Sequence, residues 1–410
     1  LSIIVQKYGG TSVADLRCIR NVATRAMRTQ RDGHKVVVVV SAMAGETNRL
    51  IELAREANTN PSERELDVLV STGEQISSAL LALTIHEMDG RAVSLMGHQV
   101  RIVTDSSYSK ARIKHIEKGR LTDTLDGDAI AVVAGFQGID EDGNITTLGR
   151  GGSDTSAIAL AAALDAYRCE IYTDVDGVYT ADPRVVTEAR KLKHISFDEM
   201  MEMASQGAKV MQVRSVEIAK KFNVPFVVRS SFTDDPGTLV DMEGLRMEGA
   251  VISAVTCDQN QARIAIYRVQ DTPGMAAKIF GPLAQANIVV DMIIQNVGHD
   301  GLADITFTVA RNDLAAAYKI VEKVANACGA DRIEKDDSIA KIAIIGVGMQ
   351  YSPGIASRMF DVLAHNGINI SMISTSEIKI SCAVERKYSE LAVRVLHDEF
   401  DLSKANGRQA

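Results

Sequence analysis

Thr146-Thr-Leu-Gly-Arg-Gly-Gly-Ser-Asp154 runs directly into Thr155-Ser-Ala-Ile-Ala-Leu-Ala-Ala-Ala-Leu164. Glycines at 149, 151 and 152 permit positive φ and close approach of a ligand to the main chain, and the Ala- and Leu-rich run that follows is a strong helix former. A glycine-rich turn therefore opens a helix. Such a start offers unpaired N–H groups and the positive end of a dipole, with Ser153, Asp154 and Thr155 as cap candidates, so an anion can be held there. Arg150 adds a planar cationic fork suited to carboxylate or phosphate. Taken alone, the stretch reads equally as a strand-turn-helix junction whose glycines serve packing. Two further stretches tip the balance. Lys7-Tyr-Gly-Gly-Thr-Ser12 follows a short apolar strand, and Asp174-Val-Asp-Gly-Val-Tyr-Thr-Ala-Asp-Pro-Arg184 follows the helix within one βα unit. Three polar, glycine-bearing turns after strands imply one shared site at the strands' carboxyl ends.

Outward from these turns, residues 1–245 alternate short β-rich runs with longer helical ones. Val36–Val40 is a continuous apolar run expected for a strand buried on both faces, and Ala129–Ala134, Cys169–Thr173 and Phe226–Arg229 read the same way. Glu65 to Ile85 carries helical spacing, with Leu66, Leu69, Val70, Ile76, Leu80 and Leu81 recurring along it. The expectation is an α/β domain with a largely parallel sheet sandwiched by helices. No G-x-G-x-x-G follows the first strand and no G-x-x-x-x-G-K-[ST] occurs, so any phosphates are held without a Rossmann fingerprint or a Walker loop. The V-A-I-K and H-R-D sets of protein kinases are absent too.

Beyond about residue 245 the chain repeats itself. Pro273-Gly-Met-Ala-Ala-Lys-Ile-Phe280 matches Pro353-Gly-Ile-Ala-Ser-Arg-Met-Phe360 at an offset of 80, which also pairs Leu283 with Leu363, Ile288 with Ile368 and Met292 with Met372. Each copy predicts a strand, a Pro-Gly turn and a helix with Ala276, Ile279, Phe280 and Leu283, or Ala356, Met359, Phe360 and Leu363, on one face. Two strands and a second helix follow. The order βαββα, with a final short strand allowed, is ferredoxin-like α+β. The expected division is 1–245 for the α/β domain, 246–261 for a linker, 262–335 for the first repeat and 336–410 for the second. Free sheet edges in such repeats favour a homo-oligomer.

The totals narrow the function classes. A chain of 410 residues, 46% hydrophobic and 24% charged, suits a soluble globular protein of two or three domains. Its net charge of −8 argues against nucleic acid or an anionic membrane as the main partner. No apolar run is read as a bilayer span, and the opening Ser2-Ile-Ile-Val5 is a strand rather than a secretory signal. Five scattered cysteines without C-x-x-C read as reduced thiols, which places the protein in the cytoplasm. Eight scattered histidines show no zinc spacing, so no protein-built metal site is expected.

Together, Lys7-Tyr-Gly-Gly-Thr-Ser12, Ser41-Ala-Met43, Ser71-Thr-Gly-Glu74, Gly149-Arg-Gly-Gly-Ser-Asp154, Thr173-Asp-Val-Asp-Gly-Val-Tyr-Thr-Ala-Asp-Pro-Arg184 and Gly207-Ala-Lys-Val210 closely resemble the aspartate kinase family of the amino-acid kinase superfamily. The tandem repeat resembles that family's pair of ACT domains, and the length resembles its monofunctional form. The resemblance implies phosphoryl transfer from MgATP to the side-chain carboxylate of L-aspartate, giving 4-phospho-L-aspartate and ADP at the head of the route to lysine, threonine and methionine. Lys7, Arg150 and Asp154 are the implied catalytic residues. Lys7, Gly9, Gly10, Ser41, Thr173, Asp174, Tyr179, Asp182, Arg184 and Lys209 are implied on ATP. Thr47, Glu74, Arg150, Gly151, Gly152 and Ser153 are implied on aspartate, Glu74 having an internal salt bridge as its structural alternative. Mg²⁺ is expected on ATP oxygens and water.

For the repeats, the resemblance implies an end-product amino-acid effector, lysine, threonine or both. Asp271, Gly274, Ala276, Asp291 and Gln295 of the first copy and Asn369, Ile370, Ser376 and Glu377 of the second are the expected lining. Rival readings are a kinase for glutamate or N-acetylglutamate, and an amino-acid sensor with a silent kinase fold. Met247 allows an internal start yielding a separate regulatory subunit.

Overall fold

The computed structural model describes residues 1–208, 210–242, 251–298 and 300–404. They fall into two compact units: the described residues of Leu1–Val178, Lys191–Ser205 and Lys209–Met247, and those of Tyr179–Arg190, Gln206–Ala208 and Glu248–Ala410. Met247 lies outside the described residues.

Eight strands of the first unit form one sheet in the order His194–Ser196, Thr238–Asp241, Phe226–Ser230, Arg168–Thr173, Ile3–Tyr8, Lys35–Val40, Ile130–Ala134, Ala92–Leu95. Every pairing is parallel except that of Phe226–Ser230 with Thr238–Asp241. The five valines of Lys35–Val40 are all buried, as a central strand covered on both faces requires. Side chains alternate across the sheet. Tyr8, Val36, Val38 and Val40 lie in one core with Val22 and Met27 of the helix Leu16–Arg31 and Leu81 and Ile85 of the helix Glu63–Glu87. Lys7, one residue from Tyr8, therefore faces the other way, where it meets the helix Gly152–Ala163. A smaller sheet, ordered Ile113–Ile116, Ile102–Thr104, Gln137–Ile139, Ile145–Thr147, delivers the chain to Gly149.

One helix is long and apolar enough to bear on the reading of the apolar runs. The 25-residue helix Glu63–Glu87 contains an 18-residue window of mean hydropathy 1.4, enough in length and composition for a membrane span. Half of that window is buried within the unit. The helix also buries Asp67 and Glu74, whose carboxylates find hydrogen-bond donors inside the unit. Its apolarity reflects core packing on the sheet.

In the second unit, Gln261–Gln270, helix Met275–Gln285, Val290–Val297, Leu302–Ala310, helix Leu314–Ala327 and Arg332–Asp336 make a βαββαβ fold. Its antiparallel sheet runs Val290–Val297, Leu302–Ala310, Gln261–Gln270, Arg332–Asp336. The second repeat, Ile339–Ile345, helix Ile355–His365, Ile370–Ser376, Lys379–Glu385 and helix Ser389–Glu399, supplies three strands among the described residues. Its fourth is Ala254–Asp258, from ahead of the first repeat, paired antiparallel with Ile339–Ile345. The expected linker 246–261 thus contains a sheet strand. All seven residues of Ile339–Ile345 are buried, and their main-chain groups need a partner on that side.

The helix faces follow the expectation at Ile279, Leu283, Met359 and Leu363, with Phe280, Ala356 and Phe360 packed against the same cores, and depart from it at Ala276. Met275, Ile279 and Leu283, and Ile355, Met359 and Leu363, are the buried rows, while Ala276 is exposed. Each helix starts directly after a glycine of positive φ, Gly274 or Gly354, and its first residue, Met275 or Ile355, joins the buried row one turn before Ile279 or Met359. Residues Tyr179–Arg190 group with this unit although they precede residue 245 in the chain. Ala181 and Val186 pack in the core around Val393 and Leu396, and Thr180 Oγ1 lies 2.9 Å from Nε2 of buried His397.

Candidate active site

A cavity of about 580 Å³ in the first unit brings together most of the sequence-predicted site: Lys7, Gly10, Ser41, Thr47, Glu74, Arg150, Gly151, Gly152, Ser153 and Asp154. Parallel strands end beside it, because the turns after Ile3–Tyr8, Lys35–Val40 and Ile130–Ala134 supply Gly10, Ser41 and Phe136. Lys7 Nζ sits 2.6 Å from Asp154 Oδ1, both side chains nearly buried. The contact is an ion pair poorly aligned for a hydrogen bond. Breaking it from either side strands a buried charge, so the two are held as a unit.

The glycines act through contact. A Cβ on Gly10 would lie 2.9 Å from Ala42 O, so the turns after the first two central strands touch main chain to main chain. Gly151 has φ +65° and a Cβ there would fall 1.7 Å from Gln212 Cγ. It forms the N-cap of Gly152–Ala163, which has no side-chain cap bond. The expected cap candidates Ser153, Asp154 and Thr155 lie inside the helix instead, and Asp154 is turned to Lys7.

Glu74 lines the cavity. Ala42 N–H donates to its Oε1 at 3.0 Å, while buried Oε2 has no hydrogen-bond partner. No salt bridge reaches it among the described residues. Burial pushes its carboxyl up to about 7, only partly opposed by the hydrogen bond from Ala42. Arg150 is exposed and has no ion-pair partner among the described residues. Among those residues, the cavity thus presents an engaged cation, a free cation and a buried carboxylate with a free oxygen.

Sequence reasoning missed Asp67, Ser109, Phe136 and Thr147, which also line this cavity. Asp67 was legible in principle: it precedes Glu74 by two helical turns and so shares its face.

Other predicted residues lie elsewhere. Gly9 and Thr173–Asp174 do not line the cavity, though Gly9 N–H donates to Tyr172 O at 3.2 Å and joins the two strand ends. Thr173 Oγ1 donates to Asp174 Oδ1 at 3.0 Å. Tyr179, Asp182 and Arg184 belong to the second unit, where Arg184 pairs with Asp182 at 2.7 Å. Lys209 lies outside the described residues.

Among the expected effector positions, Gln295 Nε2 donates to Asp271 Oδ1 at 3.4 Å. Asp291 forms an ion pair with Lys341, a lysine only 2% exposed. Met292, Ile339, Met372 and Ala383 form one apolar cluster shared by the two repeats. Gly274, Ala276, Asn369, Ser376 and Glu377 are exposed and Ile370 is half-buried.

No group of three or more His, Cys, Asp or Glu side chains gathers into a metal cage among the described residues.

A family model described as the amino acid kinase family matches residues 2–230, and two ACT domain models match 263–326 and 342–400. The chain is 53% identical over 411 residues to an aspartate kinase of Stutzerimonas stutzeri, covering all of both chains. It is also similar to the structure of E. coli aspartokinase III in complex with aspartate and ADP, described as the R-state, at 28% identity and a TM-score of 0.83, covering 97% of this chain and 99% of that one. The same enzyme in complex with lysine and aspartate, described as the T-state, matches over the same shares with a TM-score of 0.75. Full-length similarity, the kinase unit and the paired repeats agree: this chain belongs to the aspartate kinase family.

Proposed function

We propose that the cavity binds L-aspartate and that its side-chain carboxylate takes the γ-phosphoryl group of ATP there, giving 4-phospho-L-aspartate and ADP. The observation that supports this most directly is the charge arrangement. Aspartate carries two carboxylates and one ammonium, and the cavity offers Arg150, the Lys7–Asp154 pair and the free oxygen of Glu74. Arg150 clamps one carboxylate, with Gly151, Gly152 and Ser153 beside it, and Glu74 takes the ammonium, with Thr47 nearby. Lys7, held by Asp154, meets the charge that builds on the transferring group, and positioning and cations carry the rate.

ATP is proposed, by the family resemblance, to meet Gly9, Gly10 and the Ser41 turn. By the family resemblance Thr173, Asp174, Tyr179, Asp182, Arg184 and Lys209 are its further contacts. Mg²⁺ is proposed to arrive on nucleotide oxygens rather than on a protein cage. The kinase domain is proposed to span 1–245 and the ACT domains 262–335 and 336–410, acting in the cytoplasm as a homo-oligomer joined through the ACT edges. Lysine, threonine or both bind the repeats and favour a less active state.

Acyl phosphate trapped with hydroxylamine tests this, with L-aspartate against L-glutamate and with lysine plus threonine added or withheld. Aspartate-dependent product that falls on adding the effectors is expected. Product with glutamate alone, or none with either acid, would defeat the substrate assignment.

A further inference from the structure

We infer that Asp67 and Arg214 are positioning residues that aim Arg150, an inference that rests on Arg150 being the carboxylate clamp. Asp67, fully buried on the Glu63–Glu87 helix, accepts from four donors of two segments. Thr147 N–H and Oγ1 approach it at 2.8 and 2.7 Å, and Ser109 N–H and Oγ at 2.9 and 3.1 Å. It has no cationic partner among the described residues. Arg214, on the helix Val213–Phe222, donates through Nη1 to Leu148 O at 3.0 Å and through Nη2 to Ala111 O at 2.8 Å. It has no carboxylate partner among the described residues.

These contacts close a frame. Ala111 N–H donates to Thr147 O at 2.9 Å, and Leu148 N–H to Phe136 O at 2.9 Å. Every main-chain donor and acceptor of Thr147 and Leu148 is therefore engaged, and the next residues are Gly149 and Arg150. Gly149 takes φ +77°, and a Cβ on it would meet Ser109 O at 3.0 Å, so the turn is seated on the segment that Asp67 holds. An unpaired buried carboxylate is costly. Here one carboxylate and one guanidinium are devoted to neutral groups on either side of a single strand end. Arg150 itself is exposed and makes no ion pair among the described residues, so its starting direction comes from this frame. An error of about 1 Å in such a group can cost about a hundredfold in rate or affinity.

The test compares steady-state constants of the full-length enzyme and its Asp67→Asn, Arg214→Met, Arg150→Ala and paired variants. An amide at 67 keeps one acceptor but sets an NH₂ against N–H donors. The expected result is an aspartate KM raised about tenfold in Asp67→Asn and in Arg214→Met, with kcat within about twofold and ATP KM unchanged. Arg214→Lys, which keeps the charge but loses the fork, should behave like Arg214→Met. In the Arg150→Ala background neither change should add to the aspartate KM. A raised KM in Arg150→Ala with none in Asp67→Asn or Arg214→Met overturns the inference and leaves the clamp standing. Full multiplication of the effects in the paired variants also overturns it, because the residues would then act independently of Arg150. An unchanged KM in Arg150→Ala removes the clamp, and the inference with it. Should Asp67→Asn not fold, Arg214→Met carries the same comparison.

Discussion

Replacing Glu74 by glutamine should move stability and function in opposite directions. Burial holds the Glu74 carboxyl at about 7 against an ordinary 4.5, so the ionised form is disfavoured in the folded, ligand-free chain. Its folded value lies above its unfolded one, so its favourable contribution is complete below about 4.5 and is lost as pH rises through about 7. The gap corresponds to about 3 kcal/mol at about 1.4 kcal/mol per pH unit. Glutamine keeps an acceptor for Ala42 N–H and carries no charge, but its NH₂ takes the unpartnered place of Oε2, returning about 1–2 kcal/mol. A net gain of about 1–2 kcal/mol, or a few degrees in Tm, is expected at pH 8. At pH 5, where Glu74 is already protonated, the gain should vanish. Aspartate binding responds the other way: without a negative oxygen for the ammonium, the aspartate KM should rise about a hundredfold at pH 8 with a smaller change in kcat. For the unaltered chain, aspartate affinity should fall as pH drops below about 7. Thermal melts at the two pH values and aspartate titrations across pH 6–8 provide the readout. A Glu74→Gln variant that melts lower at pH 8, or that keeps its aspartate KM, would refute the assignment of Glu74 as an unpaired, cavity-facing carboxylate.

Lys7→Ala should lower kcat by about a hundredfold or more with a modest change in aspartate KM, because the cation is needed most as charge builds on the transferring group; normal turnover in steady-state assays would end that assignment. Asp291→Ala should lower Tm more than Lys341→Met, since the first strands a buried ammonium while the second leaves a partly exposed carboxylate, and equal losses in parallel melts would contradict the asymmetry. Gly151→Ala should cost about 2 kcal/mol or more, from both its φ and its overlap with Gln212, whereas Gly143→Ala, with a similar φ but open space, should cost about 1 kcal/mol. Denaturant titration of the two variants separates the terms.

Much of the site was legible because its signals are local. A run of five valines can only be a doubly buried strand in a protein of this kind, and glycines directly after such strands mark turns where a ligand meets main chain. Lys7 near the end of the first strand, Ser41 and Gly149–Asp154 at those turns and the helix start that follows, and Glu74 on the adjacent helix converge on one cavity. The repeat was legible from its offset alone, since identical spacing implies identical packing faces. The helix faces were legible at Ile279, Leu283, Met359 and Leu363; Ala276 was misplaced because it is small and apolar and mimics a core residue, while its neighbour Met275 is the one buried.

What only the tertiary structure decided is which distant groups meet. Sequence did not show that Asp154 would turn from capping its helix to pair with Lys7, or that Glu74 would keep one oxygen unpartnered. Nor did it show that Asp67 would gather four donors from two segments separated from it and from each other along the chain. The strand Ala254–Asp258 completes the sheet of the second repeat rather than the first, and Tyr179–Arg190 packs with that repeat. Periodicity and turn chemistry are properties of neighbours along the chain, so sequence alone determines them. Sheet closure, ion pairing and the burial of a carboxylate depend on which surfaces exclude water from one another, and that is set only when the whole chain has packed.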